Sequence, residues 1–202
     1  MIVFILGGAK SGKSMLAQCF AKHLHDSRSG RLYYAATMIP YDTEDEKRIE
    51  KHRHERENWG FETIEEGFNL QNHASSIQSE DVVLLDSVTA FVQNVLFSDN
   101  DIVNIISNED LSLHIKSLSK NYNDLIIVSD YIFSDSLKYS PEIERYKKLL
   151  GRTHQEIAAF SQIVIECAYS NIKVHKNSLN YDFSAVTETY NKFLSENLHG
   201  LA

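Results

Sequence analysis

Short apolar runs alternating with helical runs predict an α/β fold, a largely parallel sheet with helices on both faces. Three observations carry this. Residues 2–6 are an apolar run that meets a glycine-rich octet, Gly7 to Ser14. Further continuous apolar runs recur at Val82-Val83-Leu84-Leu85 and Leu125-Ile126-Ile127-Val128, as expected of strands buried on both faces. Near the end, β-rich runs at 163–167 and 171–175 are separated only by Ala168-Tyr169-Ser170, which predicts an antiparallel hairpin at one edge.

Between these runs the pattern is helical. Residues 15–25 follow the octet and read as a helix, and 31–36 as the second strand. Residues 43–58 are long, charged and free of Gly and Pro, so they predict a helix. A short strand at 61–65 and a weak helix at 68–77 follow. The strand at 82–86 ends in a carboxylate. Residues 89–97 and 107–120 predict two more helices, and 141–160 a long one with Pro141 suited to its first turn. The amphipathic tail, 183–198, predicts a last helix packed on the sheet. Two prolines and eight glycines leave no evident linker, so residues 1–202 read as a single domain.

Composition narrows the function. A hydrophobic fraction of 43% and a charged fraction of 24% are those of a globular protein. A net charge of −8 argues against a broad nucleic-acid surface, which needs clustered Lys and Arg. Cys19 and Cys167 read as small buried residues rather than a disulfide pair. No run is long enough to span a bilayer and the apolar start lacks the features of a signal peptide, so a cytoplasmic location is expected.

The octet Gly7-Gly8-Ala9-Lys10-Ser11-Gly12-Lys13-Ser14 fits a phosphate-binding loop in the required context of strand before and helix after. Gly12 allows the tight turn that points successive N–H groups at phosphate oxygens. Lys13 supplies an ammonium for the β- and γ-phosphates, and Ser14 a hydroxyl for Mg²⁺. Asp86, closing an apolar strand, is a second Mg²⁺ ligand; the competing reading is a helix cap. In the charged helix, Arg48, His52 and Arg56 are four apart and share a face. They could receive a triphosphate and offer a nucleophile to its α-phosphorus, or form part of a solvated helix.

These residues resemble one family, the bifunctional adenosylcobinamide kinase/adenosylcobinamide-phosphate guanylyltransferases of cobalamin synthesis. The family's Gly-Gly-Ala-Arg-Ser-Gly-Lys-Ser is similar to Gly7–Ser14, with Lys10 for Arg. Its Tyr-Ile-Ala-Thr resembles Tyr34-Ala35-Ala36-Thr37. Its Asp-x-Glu-Met-x-x-Arg-Ile-x-x-His resembles the segment from Asp42 and Glu44 through Arg48 and Ile49 to His52, with Arg56 and Trp59 beyond. A Thr-x-Glu corresponds to Thr63 and Glu65, a Leu-Thr-x-x-x-x-Asn to Thr89 and Asn94, and a Gly-Arg-x-Asn-Gln to Gly151, Arg152, His154 and Gln155.

The resemblance implies a RecA-like P-loop fold and two reactions. A nucleoside triphosphate, ATP or GTP, phosphorylates adenosylcobinamide, and GMP from GTP then passes through a histidine to adenosylcobinamide phosphate. It implies His52 and Lys13 as catalytic residues. It implies nucleotide contacts from the phosphate loop, Ala36, Thr37, Met38, His52, Arg53, His54, Glu55, Glu65 and Asp86, with Mg²⁺ on Ser14 and Asp86. A homotrimer is also implied. The chain departs from the family at Val128-Ser129-Asp130-Tyr131-Ile132-Phe133, where Val-Ser-Asn-Glu-Val-Gly is usual, and at Lys147-Lys148. Two alternatives remain open: a kinase of this lineage lacking guanylyl transfer, and a nucleotide-binding protein without turnover.

Overall fold

The computed structural model describes residues 1–73, 75–97 and 111–198. The seven strands are β1 (Ile2–Gly7), β2 (Leu32–Ala36), β3 (Glu62–Glu65), β4 (Val82–Asp86), β5 (Asp124–Asp130), β6 (Ile163–Ala168) and β7 (Asn171–Asn177). The helices are α1 (Lys13–Asp26), α2 (Thr43–Arg56), α3 (Val88–Phe97), α4 (Leu111–Asn121), α5 (Pro141–Phe160) and α6 (Ser184–Leu198). One sheet runs in the order β3-β2-β4-β5-β1-β6-β7. Every neighbouring pair is parallel except the β6–β7 hairpin. β5 lies between β1, which leads into the glycine-rich loop, and β4, which ends on Asp86. That order fits the RecA-like fold that the family resemblance implies.

Alternation along β1 builds two cores. Ile2 and Phe4 face α3, α4 and α5, together with Val83 and Leu85 of β4. Val3 and Ile5 face α1 and α6, with Phe20, Leu84 and Tyr190. A strand covered on both sides in this way must be apolar at every position, which is why the run reads as continuous. No helix among the described residues is long and apolar enough to cross a membrane.

Most elements fall within two residues of their expected bounds. The helix expected over 68–77 is a correction: only a 3-10 turn, Leu70–His73, forms there. Side chains capture the backbone instead. Glu66 Oε1 accepts from the N–H groups of Phe68 and Asn69, each at 3.0 Å, and Asn69 Oδ1 accepts from Gln71 N–H at 3.2 Å. Such local bonds compete with helix formation. β5 is longer than its apolar run because pairing with β1 continues through Leu6↔Ser129 to Gly7↔Asp130. The helix expected over 107–120 begins at Leu111 among the described residues, and 107–110 lie outside them.

Asp124, 2% exposed at the start of β5, accepts from Arg28 Nε at 2.8 Å and from the Met1 amine at 2.9 Å. Burial alone would raise its pKa, but these bonds hold the carboxyl below its ordinary 3.8. A depressed folded-state pKa contributes stability above the unfolded value and loses it as pH falls through the folded one. Thermal melts should therefore show Tm falling as pH drops below about 4. Asp124→Asn should start lower and lose less over that range.

Candidate active site

The glycine-rich loop is held from three directions. Gly12 precedes α1 at φ 91°, in the left-handed region, and Lys10 is left-handed at φ 55°. A Cβ on Gly12 would meet the Tyr190 hydroxyl of α6 at 2.1 Å, so glycine is required there for space as well as for conformation. Ser11 carbonyl accepts from Ser170 N–H at 3.0 Å and from the Cys167 thiol at 3.1 Å. Ser11 N–H donates to Gly8 carbonyl at 3.2 Å. No side chain caps α1, so its first N–H groups are left for a ligand at the positive end of the helix. Burial pushes both thiols up, Cys19 to about 12, consistent with unreactive buried cysteines.

Lys13 is buried, with Nζ 2.6 Å from Asp130 Oδ1 and 3.3 Å from Gly8 carbonyl. The sequence names Asp130 only within the segment that departs from the family pattern, not as a partner of Lys13. The available signal was the one that found Asp86, a carboxylate closing an apolar strand, but here Ser129 intervenes. Asp130 N–H donates to Thr89 Oγ1 at 2.7 Å. Thr89 Oγ1 lies 2.9 Å from Ser129 Oγ, which lies 2.7 Å from His154 Nε2. Burial pushes His154 down to about 4 despite the opposing pull of Asp130. At neutral pH it is a neutral hydrogen-bonding group, as the asparagine of the family pattern would be.

Parallel register lines up the strand ends. Ala36 stands opposite both Asp86 and Glu65. Asp86 Oδ2 accepts from Tyr34 OH at 2.8 Å, and the buried Arg56 guanidinium lies 4.0 Å from the Tyr34 ring centroid. Burial is the main influence on Arg56 and lowers its pKa. Thr37 is fully buried: its hydroxyl donates to Ser87 carbonyl at 2.6 Å and accepts from Ser87 N–H at 2.8 Å. Asn94 of α3 donates to Thr37 carbonyl at 2.7 Å and Gly67 carbonyl at 3.0 Å, joining the loops after β2 and β3.

α2 begins at Asp42, whose carboxylate caps the N–H groups of Glu44 and Asp45, each at 2.9 Å. The helix runs over a cleft of about 730 Å³. Lys13, Ser14, Ala36, Met38, His52, Arg53, Glu65 and Asp86 line it, joined by Tyr34, Arg56 and Asp130. His52 is thus on the same cleft as Lys13 and Ser14, the last two residues of the glycine-rich octet. Arg53 hydrogen-bonds Glu65. His54 is exposed, pairs with Glu57 at 3.1 Å and does not line the cleft; nor do Thr37, Gly7, Gly8, Ala9, Lys10, Ser11 and Gly12. The side chains of Arg48 and Glu55 lie outside those described.

Ser14 and Asp86 present oxygen donors to one cleft, the donor type that suits a hard cation. Among the described residues no cluster of three His, Cys, Asp or Glu forms an all-protein metal site. Mg²⁺ held here would take its remaining ligands from phosphate and water.

A family model described as cobinamide kinase / cobinamide phosphate guanyltransferase matches residues 3–171. The chain belongs to this family. It is an enzyme of the kinase and guanylyltransferase class, and the family uses ATP and GTP as substrates. The bifunctional adenosylcobalamin biosynthesis protein CobU of Escherichia coli (strain K12) is 28% identical over 172 residues, which cover 79% of this chain and 91% of that protein. The flagellar accessory protein FlaH of Methanocaldococcus jannaschii has a TM-score of 0.47 at 14% identity, over 88% of this chain and 79% of that one. The KaiC-like protein PH0186 of Pyrococcus horikoshii OT3 gives 0.44 at 13%, over the same shares.

Within this family site the Tyr34–Asp86 bond is a clean target. With Asp86 as the Mg²⁺ ligand expected from the sequence, Tyr34→Phe should leave Tm within about 2 °C but reduce phosphoryl transfer about tenfold or more, the range in which outer-shell partners of a metal ligand typically matter. Steady-state kinetics across a magnesium titration checks this. Raising magnesium should recover part of the loss.

Proposed function

We propose that this enzyme performs both transfers of its family in one cleft, with His52 carrying the guanylyl group. The observation that carries the reading is the placement of His52 on the cleft that holds Lys13, Ser14 and Asp86. In the kinase step the phosphate loop and Lys13 grip a nucleoside triphosphate. Lys13 exchanges Asp130 for the phosphates. The acceptor hydroxyl of adenosylcobinamide attacks the γ-phosphorus, and the nucleoside diphosphate leaves. Bound Mg²⁺ would neutralise developing phosphate charge, with Ser14 and Asp86 as its protein ligands.

In the second step a neutral His52 ring nitrogen attacks the α-phosphorus of GTP. The bond to the β-phosphate breaks and pyrophosphate leaves, giving a phosphoramidate. An oxygen of adenosylcobinamide phosphate then attacks the same phosphorus, and the P–N bond breaks. Arg53 and Arg56, lining the same cleft, offset phosphate charge. Ala36, Met38, Glu65 and the flanking helix residues complete the guanine-nucleotide contacts. A cytoplasmic homotrimer belongs to this reading, and light scattering on the purified chain checks the assembly state.

The reading is tested with α-labelled GTP. Wild type should acquire an acid-labile, base-stable protein label. His52→Ala should abolish it while retaining the kinase step, and Lys13→Ala should lose both. Folded, kinase-active wild type that takes no label would instead favour the kinase-only reading, which the altered segment from Asp130 to Phe133 motivates.

A further inference from the structure

The β6–β7 turn carries a side chain that the phosphate chemistry leaves unused. Ala168 pairs with Asn171, so Tyr169 and Ser170 form a two-residue hairpin loop. Both are left-handed, at φ 50° and 61°. Such loops favour Asn and Gly, and a bulky residue at positive φ is an outlier that needs a reason. Packing does not supply one, because Tyr169 is 94% exposed. Strain retained at an unpacked aromatic points to a ligand.

The location identifies the ligand. Ser170 N–H donates to the Ser11 carbonyl at 3.0 Å, and Ser170 Oγ lies 3.4 Å from where a Gly12 Cβ would stand. Asn171 Nδ2 donates to the Tyr169 carbonyl at 3.1 Å, pinning the turn. Tyr169 is therefore one residue from the wall of the phosphate loop, on its β6 side. The carboxylates Asp86 and Asp130 stand on the opposite side of β1, at the ends of β4 and β5. A triphosphate with its γ end toward those carboxylates directs its nucleoside toward β6.

We infer that Tyr169 is a stacking platform for the base of the triphosphate consumed in the kinase step. This rests on the phosphate-loop reading above and adds the base site to it. Stacking is tolerant of base identity, because every base presents a π-face. The platform therefore grips ATP and GTP alike in this step.

Calorimetry with two magnesium-bound ligands tests it: a non-hydrolysable ATP analogue, and inorganic tripolyphosphate, which has no base. Tyr169→Gly should weaken the ATP analogue about tenfold or more, leave tripolyphosphate affinity unchanged and raise Tm by relieving the turn. Tyr169→Phe should bind both ligands as wild type does. Unchanged affinity for the analogue in Tyr169→Gly overturns the inference, including where the variant alters the assembly state and so reveals an interface residue. Equal weakening of both ligands also overturns it, by making the turn a support for the loop. Wild type that binds neither ligand would sink the phosphate-loop reading, and the base platform with it.

Discussion

The left-handed turn at Gly12 is the constraint on which the site depends. It ends β1, starts α1 and opens a row of N–H groups, and it does so with backbone atoms alone. A loop of that kind cannot hold itself. Here the support comes from the far end of the chain: the Tyr190 ring closes over Gly12, and Ser170 and Cys167 both donate to the Ser11 carbonyl. The first anion-facing loop is thus completed by β6, its hairpin turn and α6. The amino-terminal motif therefore takes its support from the docked carboxyl-terminal elements.

Around that loop the strand ends are wired by neutral polar groups. Thr89 receives the Asp130 N–H, Ser129 links Thr89 to His154, and Asn94 bridges Thr37 and Gly67. Burial keeps His154 uncharged, so the network meets Asp130 without placing a second fixed charge beside Lys13. This explains how a histidine fits where the family pattern has an asparagine. Both are neutral at working pH and both can offer a hydrogen bond.

What was legible in the sequence was what apolar runs and local chemistry encode. β4 and α5 have the bounds expected because Asp86 stops one apolar run and Pro141 starts one helix. The phosphate loop was legible because its function needs fixed residue types at fixed spacing. The polar end of β5 was not, since only pairing with β1 extends it through Ser129 and Asp130. The Tyr34–Asp86 bond joins residues 52 apart in sequence, and no local pattern announces it. The helix expected over 68–77 failed because Glu66 and Asn69 satisfy the backbone in another way. His52 was one histidine of two on a charged helix. Spacing put it on one face with Arg48 and Arg56, and family likeness then favoured it over a solvated-helix reading.

Arg56 is the only buried side chain among those described on α2. The phosphate loop, by contrast, joins a strand buried at all but Leu6 to a helix that lies against the core. The two proposed transfers therefore rest on parts of unequal depth. On the proposed reading, a change at His52 on the outlying helix removes the nucleophile without touching either core, whereas a change in the loop disturbs the centre of the sheet.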